Sequence, residues 1–348
     1  MSDKLRYACI GAGGIADKKH LQGYSKLPGV ELAAVCDSDP ASAKRLAEKY
    51  QIPAVFEAYD EMFSKIPLDM VSICTPNFLH APIAVAALNN GINVHCEKPL
   101  ALNAEEAGRI VAAKNASGKK VMVALNNRFT SESIFIRKCA EEGVFGEIYH
   151  AKCGWRRRNG IPGKGVWFTD KKLSGGGALI DLGVHYLDLV LSFMDFPEIR
   201  SVSGSAYSVF GNTDNRLRPG YKSKGNGLFD VEDMVVGFLR TESNATVDFE
   251  FSWASNIEAE RKYYELLGTK GGVSCINGEI KLFSEWAGSS VNVIPDLSGE
   301  RHLNEFEHFV KCVQNDEEPE SSPEQAAKLM RVIDAVYESS LQRKEVIL

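Results

Sequence analysis

The sequence predicts an α/β chain of two domains: a doubly wound parallel sheet first, then an α+β domain with a large, mainly antiparallel sheet. Three observations predict it. A glycine-rich turn follows the first apolar run, short apolar runs then alternate with helical stretches to about residue 125, and after residue 199 strand-like segments succeed one another without long helices. At 348 residues the chain exceeds the size at which a single core stops growing. The expected division is 1–125 and 126–348, with the C-terminal helix packing back on the first domain.

Leu5-Arg6-Tyr7-Ala8-Cys9-Ile10 is β-prone and mostly apolar, so it reads as a strand. It runs into Gly11-Ala12-Gly13-Gly14-Ile15-Ala16, which fits Gly-x-Gly-x-x-Gly/Ala. Gly11 permits a tight turn, Gly13 lets the backbone approach a pyrophosphate, and small Ala16 allows close helix–strand packing. The helix predicted from Ile15 to about Lys26 offers its free N–H groups to phosphates. A second strand, Val30 to Cys36, ends at Asp37, where a carboxylate can accept the hydroxyls of an adenosine ribose. That is the pattern of a Rossmann dinucleotide site. Asp39 follows and no Arg occurs between it and Arg45, so a 2′-phosphate would meet a carboxylate without a neighbouring cation; NAD is expected over NADP. The plain alternative for Asp37 is a helix N-cap ahead of Pro40.

The alternation continues with a helix at 40–50, a strand at 54–56, a helix at 59–65 and a buried strand at 69–74 ending in Thr75-Pro76-Asn77, with His80 at the next helix start. Ile92 to Cys96 is a strand that stops at Glu97-Lys98-Pro99. In an open parallel sheet ligands lie beyond the carboxyl ends of the strands, so Lys98 projects into that crevice. Its plain alternative is a solvated lysine in a turn. A helix at 103–115 and a strand at 120–125 complete the first domain.

Beyond it come a helix at 131–142, a strand at 147–155, and a loop Arg156-Arg157-Arg158-Asn159-Gly160-Ile161-Pro162-Gly163-Lys164-Gly165 leading to Val166-Trp167-Phe168. Strands are expected at 199–209, 229–239, 246–255, 261–267, 273–276, 280–283 and 291–293, with a long lid-like loop at 211–227. Helices near 304–314 and up to about Gln342 close the chain. One antiparallel face is open to water or to a partner, and apolar outward positions among Phe249, Phe251 and Trp253 predict a homodimer or homotetramer through that sheet.

Ser174-Gly175-Gly176-Gly177 opens a run that is apolar through Met194, read as one buried helix after glycines that admit a ligand. Asp181, His185 and Asp188 fall at i, i+4 and i+7 and so share a face. Ionisable groups in an apolar helix are hydrogen-bonded or functional. Imidazole titrates near neutrality, which suits a general base. A satisfied core histidine is the plain alternative.

Composition excludes several classes. The net charge of −6 gives no basic footprint for nucleic acid or anionic membrane. No apolar run is expected to span a bilayer, and Met1-Ser2-Asp3-Lys4 leads straight into a strand without a signal-peptide core. The eight cysteines form no Cys-x-x-Cys pair, so the reading is cytoplasmic, reduced and metal-free.

Taken together, the glycine-rich turn, Thr75-Pro76-Asn77, Glu97-Lys98-Pro99, Asn127-Arg128-Phe129 and Gly176-Gly177 through Asp181 and His185 to Asp188 resemble the Gfo/Idh/MocA oxidoreductases over essentially the whole length. The resemblance implies a catalytic set of Lys98, Asp181 and His185. It also implies a cofactor lining of Gly11, Gly13, Gly14, Ile15, Ala16, Asp37, Ser38, Thr75, Asn77, His80, Glu97, Lys98, Arg128 and Trp167. The loop around Arg157 to Gly163 resembles the branch that oxidises glucosides at C3, with Trp155 and Arg158 beside Lys98, Asp181 and His185 as sugar contacts. On this reading His185 takes the hydroxyl proton, Lys98 steadies the alkoxide, and Asp181 either orients the imidazole or holds a sugar hydroxyl. The implied activity is NAD-dependent oxidation of a pyranose or glucoside. The alternatives are an NAD-retaining glycoside hydrolase, an inositol dehydrogenase, or a non-catalytic NAD-binding regulator.

Overall fold

Val30 to Cys36, Met70 to Ile73 and Asn93 to Cys96 are runs that need cover on both faces, which a parallel sheet wrapped by helices supplies. The computed structural model describes residues 4–211, 213–224, 227–298 and 302–348. Two compact units emerge: residues 1–126 with 303–327, and residues 127–302 with 328–348. Residues 303–327, which follow the antiparallel strands in sequence, thus group with the first unit.

In the first unit, β1 (Leu5–Ile10), β2 (Val30–Cys36), β3 (Ala54–Phe56), β4 (Met70–Ile73), β5 (Asn93–Cys96) and β6 (Val121–Val123) form one parallel sheet in the order β3-β2-β1-β4-β5-β6. Reversal of strand order beside β1 makes a crevice at its carboxyl end. The helices of this unit start where the sequence says. Asp39 caps Pro40–Tyr50 by accepting from Ala41 N–H, and Asn103 caps Ala104–Ser117 by accepting from Glu106 N–H. The first helix departs from expectation: Ala16–Leu21 is a π turn, continued by an α turn at Gln22–Tyr24.

In the second unit, β7 (Ile148–Arg156), β8 (Ile199–Tyr207), β9 (Met234–Thr241), β10 (Thr246–Ser252), β11 (Arg261–Gly268), β12 (Gly272–Ile276), β13 (Glu279–Trp286), β14 (Ser289–Val293) and β15 (Val346–Ile347) make a nine-stranded sheet. Its order is β14-β13-β12-β11-β7-β10-β9-β8-β15. All neighbours are antiparallel except β7 and β10.

Several expectations are corrected here. Val247, Phe249 and Phe251 point into the core, as does Trp253, while Asp248 and Glu250 are half-buried on the other face; these aromatics are therefore not outward positions. The strand expected from Phe229 begins only at Met234, because Glu232 and Asp233 turn their carboxylates to other segments. Asp233 Oδ2 accepts from the N–H groups of Val209, Phe210 and Gly211, which also ends β8 at Tyr207.

The buried helix at 174–194 is in pieces: Lys171–Ser174, a π turn at Leu179–Gly183, and Val184–Phe193. By length and composition alone Lys171–Phe193 is long and apolar enough to cross a membrane, and 78% of its apolar window is buried inside the protein. Within the loop at 211–227, residues 212, 225 and 226 lie outside the described residues, as do residues 1–3 of the expected N-terminal lead-in. Its described part is tied down by Arg218 N–H to Ile161 O at 2.8 Å and Lys224 N–H to Lys164 O at 2.7 Å.

Candidate active site

Gly11 follows β1 with φ of +94°, and a Cβ there would lie 2.6 Å from the Cys74 carbonyl oxygen, so the turn admits only glycine. Gly13 and Gly14 face open space, with nothing within 4 Å of a Cβ on either. Ile15 is exposed beside them, and Ala16 is fully buried against the sheet. Asp37, at the end of β2, accepts from Ala12 N–H at 2.6 Å and from Asp39 N–H at 2.8 Å, and Ser38 is exposed next to it. The N-cap role belongs to Asp39 instead. Arg45, distant in sequence, reaches the Ala12 carbonyl at 3.3 Å while also pairing with Asp17. A cation therefore does lie near this loop.

Beyond β4, Thr75 Oγ1 is buried without a hydrogen-bond partner, and Asn77 is buried one turn ahead of His80. His80 links the loops after β4 and β5: Nδ1 lies 2.7 Å from Pro99 O and Nε2 lies 2.9 Å from Thr75 O. Burial holds His80 below the ordinary imidazole range, so it carries one N–H and donates to one carbonyl at a time. An open glycine cradle, a carboxylate at the second strand and an orphaned hydroxyl at the fourth fit a dinucleotide.

Glu97 and Lys98 end β5, and Lys98-Pro99 is cis. Beneath them Glu97 Oε1 lies 2.9 Å from His20 Nε2, and His20 Nδ1 lies 2.8 Å from Ser72 Oγ. Burial pushes Glu97 up, yet the hydrogen bond and charge of His20, with Lys98 adding, hold it below the usual carboxylate range. Burial likewise opposes the His20 cation, and Glu97 outweighs it to raise the imidazole. The pair is ionic, and Glu97 Oε2 accepts from Lys98 N–H at 3.2 Å.

Asp181, His185, Trp155, Arg158 and Trp167 belong to the second unit. Asp181 Oδ2 accepts from Trp253 Nε1 at 2.9 Å. His185 is half-buried, its ring 6.2 Å from that of Trp155. Asp188 does not join them. It binds Arg128 through Nε at 2.7 Å and Nη2 at 2.6 Å, with both side chains 1% exposed. Arg128, expected at the cofactor, is buried in this pair within the second unit. The Trp155 indole donates to Glu260 at 2.6 Å and carries the cations of Arg157 and Lys262, each 4.4 Å from its ring centre. Arg158 is exposed and donates to the Glu258 carbonyl. Of Arg156, Arg157 and Arg158, Arg157 is the buried one; burial pulls it below its ordinary range, with Asp181 the chief opposing charge. Trp167 stacks on Phe168 at 3.8 Å.

Of the glycines ahead of Asp181, Gly176 and Gly177 make room for protein atoms. A Cβ on Gly176 would meet Tyr337 Oη at 2.0 Å, and one on Gly177 would meet Glu232 O at 1.9 Å. Sequence reasoning missed Glu232, Tyr337, Arg157 and Glu260. Only Glu232-Asp233, two carboxylates heading an apolar run, carried a local signal.

Residues 5–125 match the family model described as an oxidoreductase family with an NAD-binding Rossmann fold, and residues 134–274 match the GFO/IDH/MocA C-terminal domain. The chain is 32% identical over 342 residues to D-glucoside 3-dehydrogenase of Escherichia coli (strain K12), covering 97% of this chain and 96% of that one. The chain belongs to the Gfo/Idh/MocA oxidoreductases. The chain is also 25% identical to D-xylose 1-dehydrogenase (NADP(+)) 2 of Haloferax volcanii, over 97% of both chains. Among solved structures, an aldose-aldose oxidoreductase from Caulobacter crescentus, complexed with glycerol, superimposes with a TM-score of 0.81. It is 25% identical and covers 99% of this chain and 100% of that one.

Proposed function

We propose that the protein is an NAD-dependent dehydrogenase that oxidises a secondary hydroxyl, at C3, of a pyranose sugar or glucoside. The observation that carries the reading is a half-buried imidazole, His185, four residues after a carboxylate anchored by Trp253, in a largely apolar buried segment. The full-length similarity to a D-glucoside 3-dehydrogenase supports the substrate class and the carbon. Gly11, Gly13, Gly14, Ile15, Ala16, Asp37, Ser38, Thr75, Asn77, His80 and Glu97 would hold the dinucleotide, with Trp167 assigned on resemblance. Bound there, the nicotinamide would supply the hydride acceptor. His185 takes the hydroxyl proton, and Lys98 donates a hydrogen bond that stabilises the developing alkoxide. Asp181 orients the base or a neighbouring sugar hydroxyl, and Trp155 and Arg158 contact the sugar. Asp37 supports NAD over NADP, although Arg45 stands closer to that carboxylate's loop than the sequence suggests.

Incubating the enzyme with NAD and a panel of methyl glycosides and free sugars, while recording NADH absorbance, tests the proposal. NADH accumulation is expected with a glucoside. Release of aglycone without NADH would replace it with an NAD-retaining hydrolase. We also propose a homodimer or homotetramer formed through the second unit's sheet. The support is its β13–β14 edge, where Phe283, Trp286 and Val293 are exposed.

A further inference from the structure

Three successive backbone N–H groups open the segment that carries Asp181 and His185, and all three end on one residue. Gly177 N–H donates to Glu232 Oε2 at 2.9 Å, and Leu179 N–H donates to Glu232 Oε1 at 2.9 Å. Between them, Ala178 N–H donates to the Glu232 main-chain oxygen at 3.2 Å. Tyr337 Oη adds a fourth hydrogen bond, to Oε1 at 3.0 Å. Glu232 is 8% exposed, and no cation pairs with it among the described residues. A buried carboxylate without a counter-ion is costly, and an ordinary Ser or Asn at the N-cap would satisfy the same donors more cheaply. A carboxylate brought from 53 residues away does something a local cap does not: it fixes where the helix start lies relative to the sheet.

The same short segment also grips the other end of Asp181. Asp233 O accepts from Trp253 N–H at 2.8 Å, and the Trp253 indole donates to Asp181 Oδ2 at 2.9 Å. Main chain and side chain of Asp181 are thus referenced to two adjacent residues. The glycines complete the device, since the close approach of Tyr337 and Glu232 leaves no room for a Cβ at Gly176 or Gly177.

We propose that Glu232, backed by Tyr337, is a positioning residue of the reaction, holding the π turn at Leu179–Gly183 so that Asp181 and His185 are correctly aimed. The proposal rests on the reading of those two residues as catalytic. Misplacement by about 1 Å at a reacting group can cost on the order of 10²-fold in rate. Glu232→Gln retains one acceptor but turns an amide toward a backbone donor, Glu232→Ala removes both acceptors, and Tyr337→Phe removes only the hydroxyl.

The test measures kcat and KM with NAD and methyl glucopyranoside, NAD affinity by calorimetry and the folded fraction by circular dichroism, with His185→Asn alongside. Expected is a graded loss of kcat per folded enzyme, smallest for Tyr337→Phe, larger for Glu232→Gln and largest for Glu232→Ala, with NAD affinity unchanged. Should both Glu232 variants fail to fold, Tyr337→Phe decides alone: unchanged kcat overturns the proposal, and a several-fold fall with intact NAD binding supports it. Folded Glu232 variants with wild-type kcat reduce Glu232 to a stability cap and overturn it, while an inactive His185→Asn leaves the catalytic reading standing. An active His185→Asn overturns both.

Discussion

At Asp37 one carboxylate already accepts two backbone N–H groups, from Ala12 and Asp39, so it is fixed before any ribose arrives. Removing it in Asp37→Ala should weaken NAD binding and shrink the preference over NADP by about tenfold or more, the scale of a charge-assisted hydrogen bond. Titration with both cofactors checks this, and a wild type that prefers NADP would show the assignment to be wrong. Lys98 and His185 invite a second substitution pair. Lys98→Met and His185→Asn should fold and bind NAD, yet lose roughly 10²–10⁴ in turnover, as expected for a positioned acid–base group. Their double mutant should lose less than the summed free energies, because groups acting on one proton are not additive. Full activity in either single mutant removes that residue from the mechanism.

At the scale of elements, the informative segment is 174–194. Its apolar run was legible as a buried helix, and the i, i+4, i+7 spacing was legible as one face. The π turn and the donors claimed by Glu232 alter that geometry, and Asp188 goes to Arg128. Because that pair is fully buried, removing one partner strands a charge: Asp188→Asn should cost about 3–5 kcal/mol of stability. Chemical denaturation measures it, and a loss well under 1 kcal/mol would mean that the pair is dispensable.

For the whole molecule, pH and association are the accessible readouts. Burial pushes Glu305, at the start of the helix Glu305–Asn315, up to about 7 from 4.5, with Glu97 adding and His20 and Lys19 opposing. The native state therefore holds that proton more tightly than the unfolded chain does. This contribution is fully present below pH 4.5 and is lost as pH rises through 7. Its size is about 3 kcal/mol. Glu305→Gln should flatten that part of the stability profile and raise stability at pH 8; urea melts from pH 5 to 8 would reveal a profile that stays unchanged. For association, Trp286 is 76% exposed at the sheet edge, and Trp286→Glu should shift a dimer or tetramer toward monomer in light scattering. A wild type that is already monomeric at micromolar concentration rules out the proposed assembly.

Period, caps and turn chemistry act over a few residues, and so the sequence alone determined the Rossmann half almost element by element. The helices at 40–50 and 59–65 begin and end where Asp39, Pro40 and the apolar spacing require. It also marked Gly11, Asp37, Lys98, Asp181 and His185 as the residues to test, because such residues at strand ends or in apolar helices need a reason to be there. Contacts across tens of residues were decided only by the tertiary structure. It brought Arg45 to Ala12, filled the space above Gly176 and Gly177 with Tyr337 and Glu232, drew Arg128 into the core, and turned Phe249, Phe251 and Trp253 inward. Each of these outcomes satisfies a buried donor, charge or apolar face with a partner that no local pattern names.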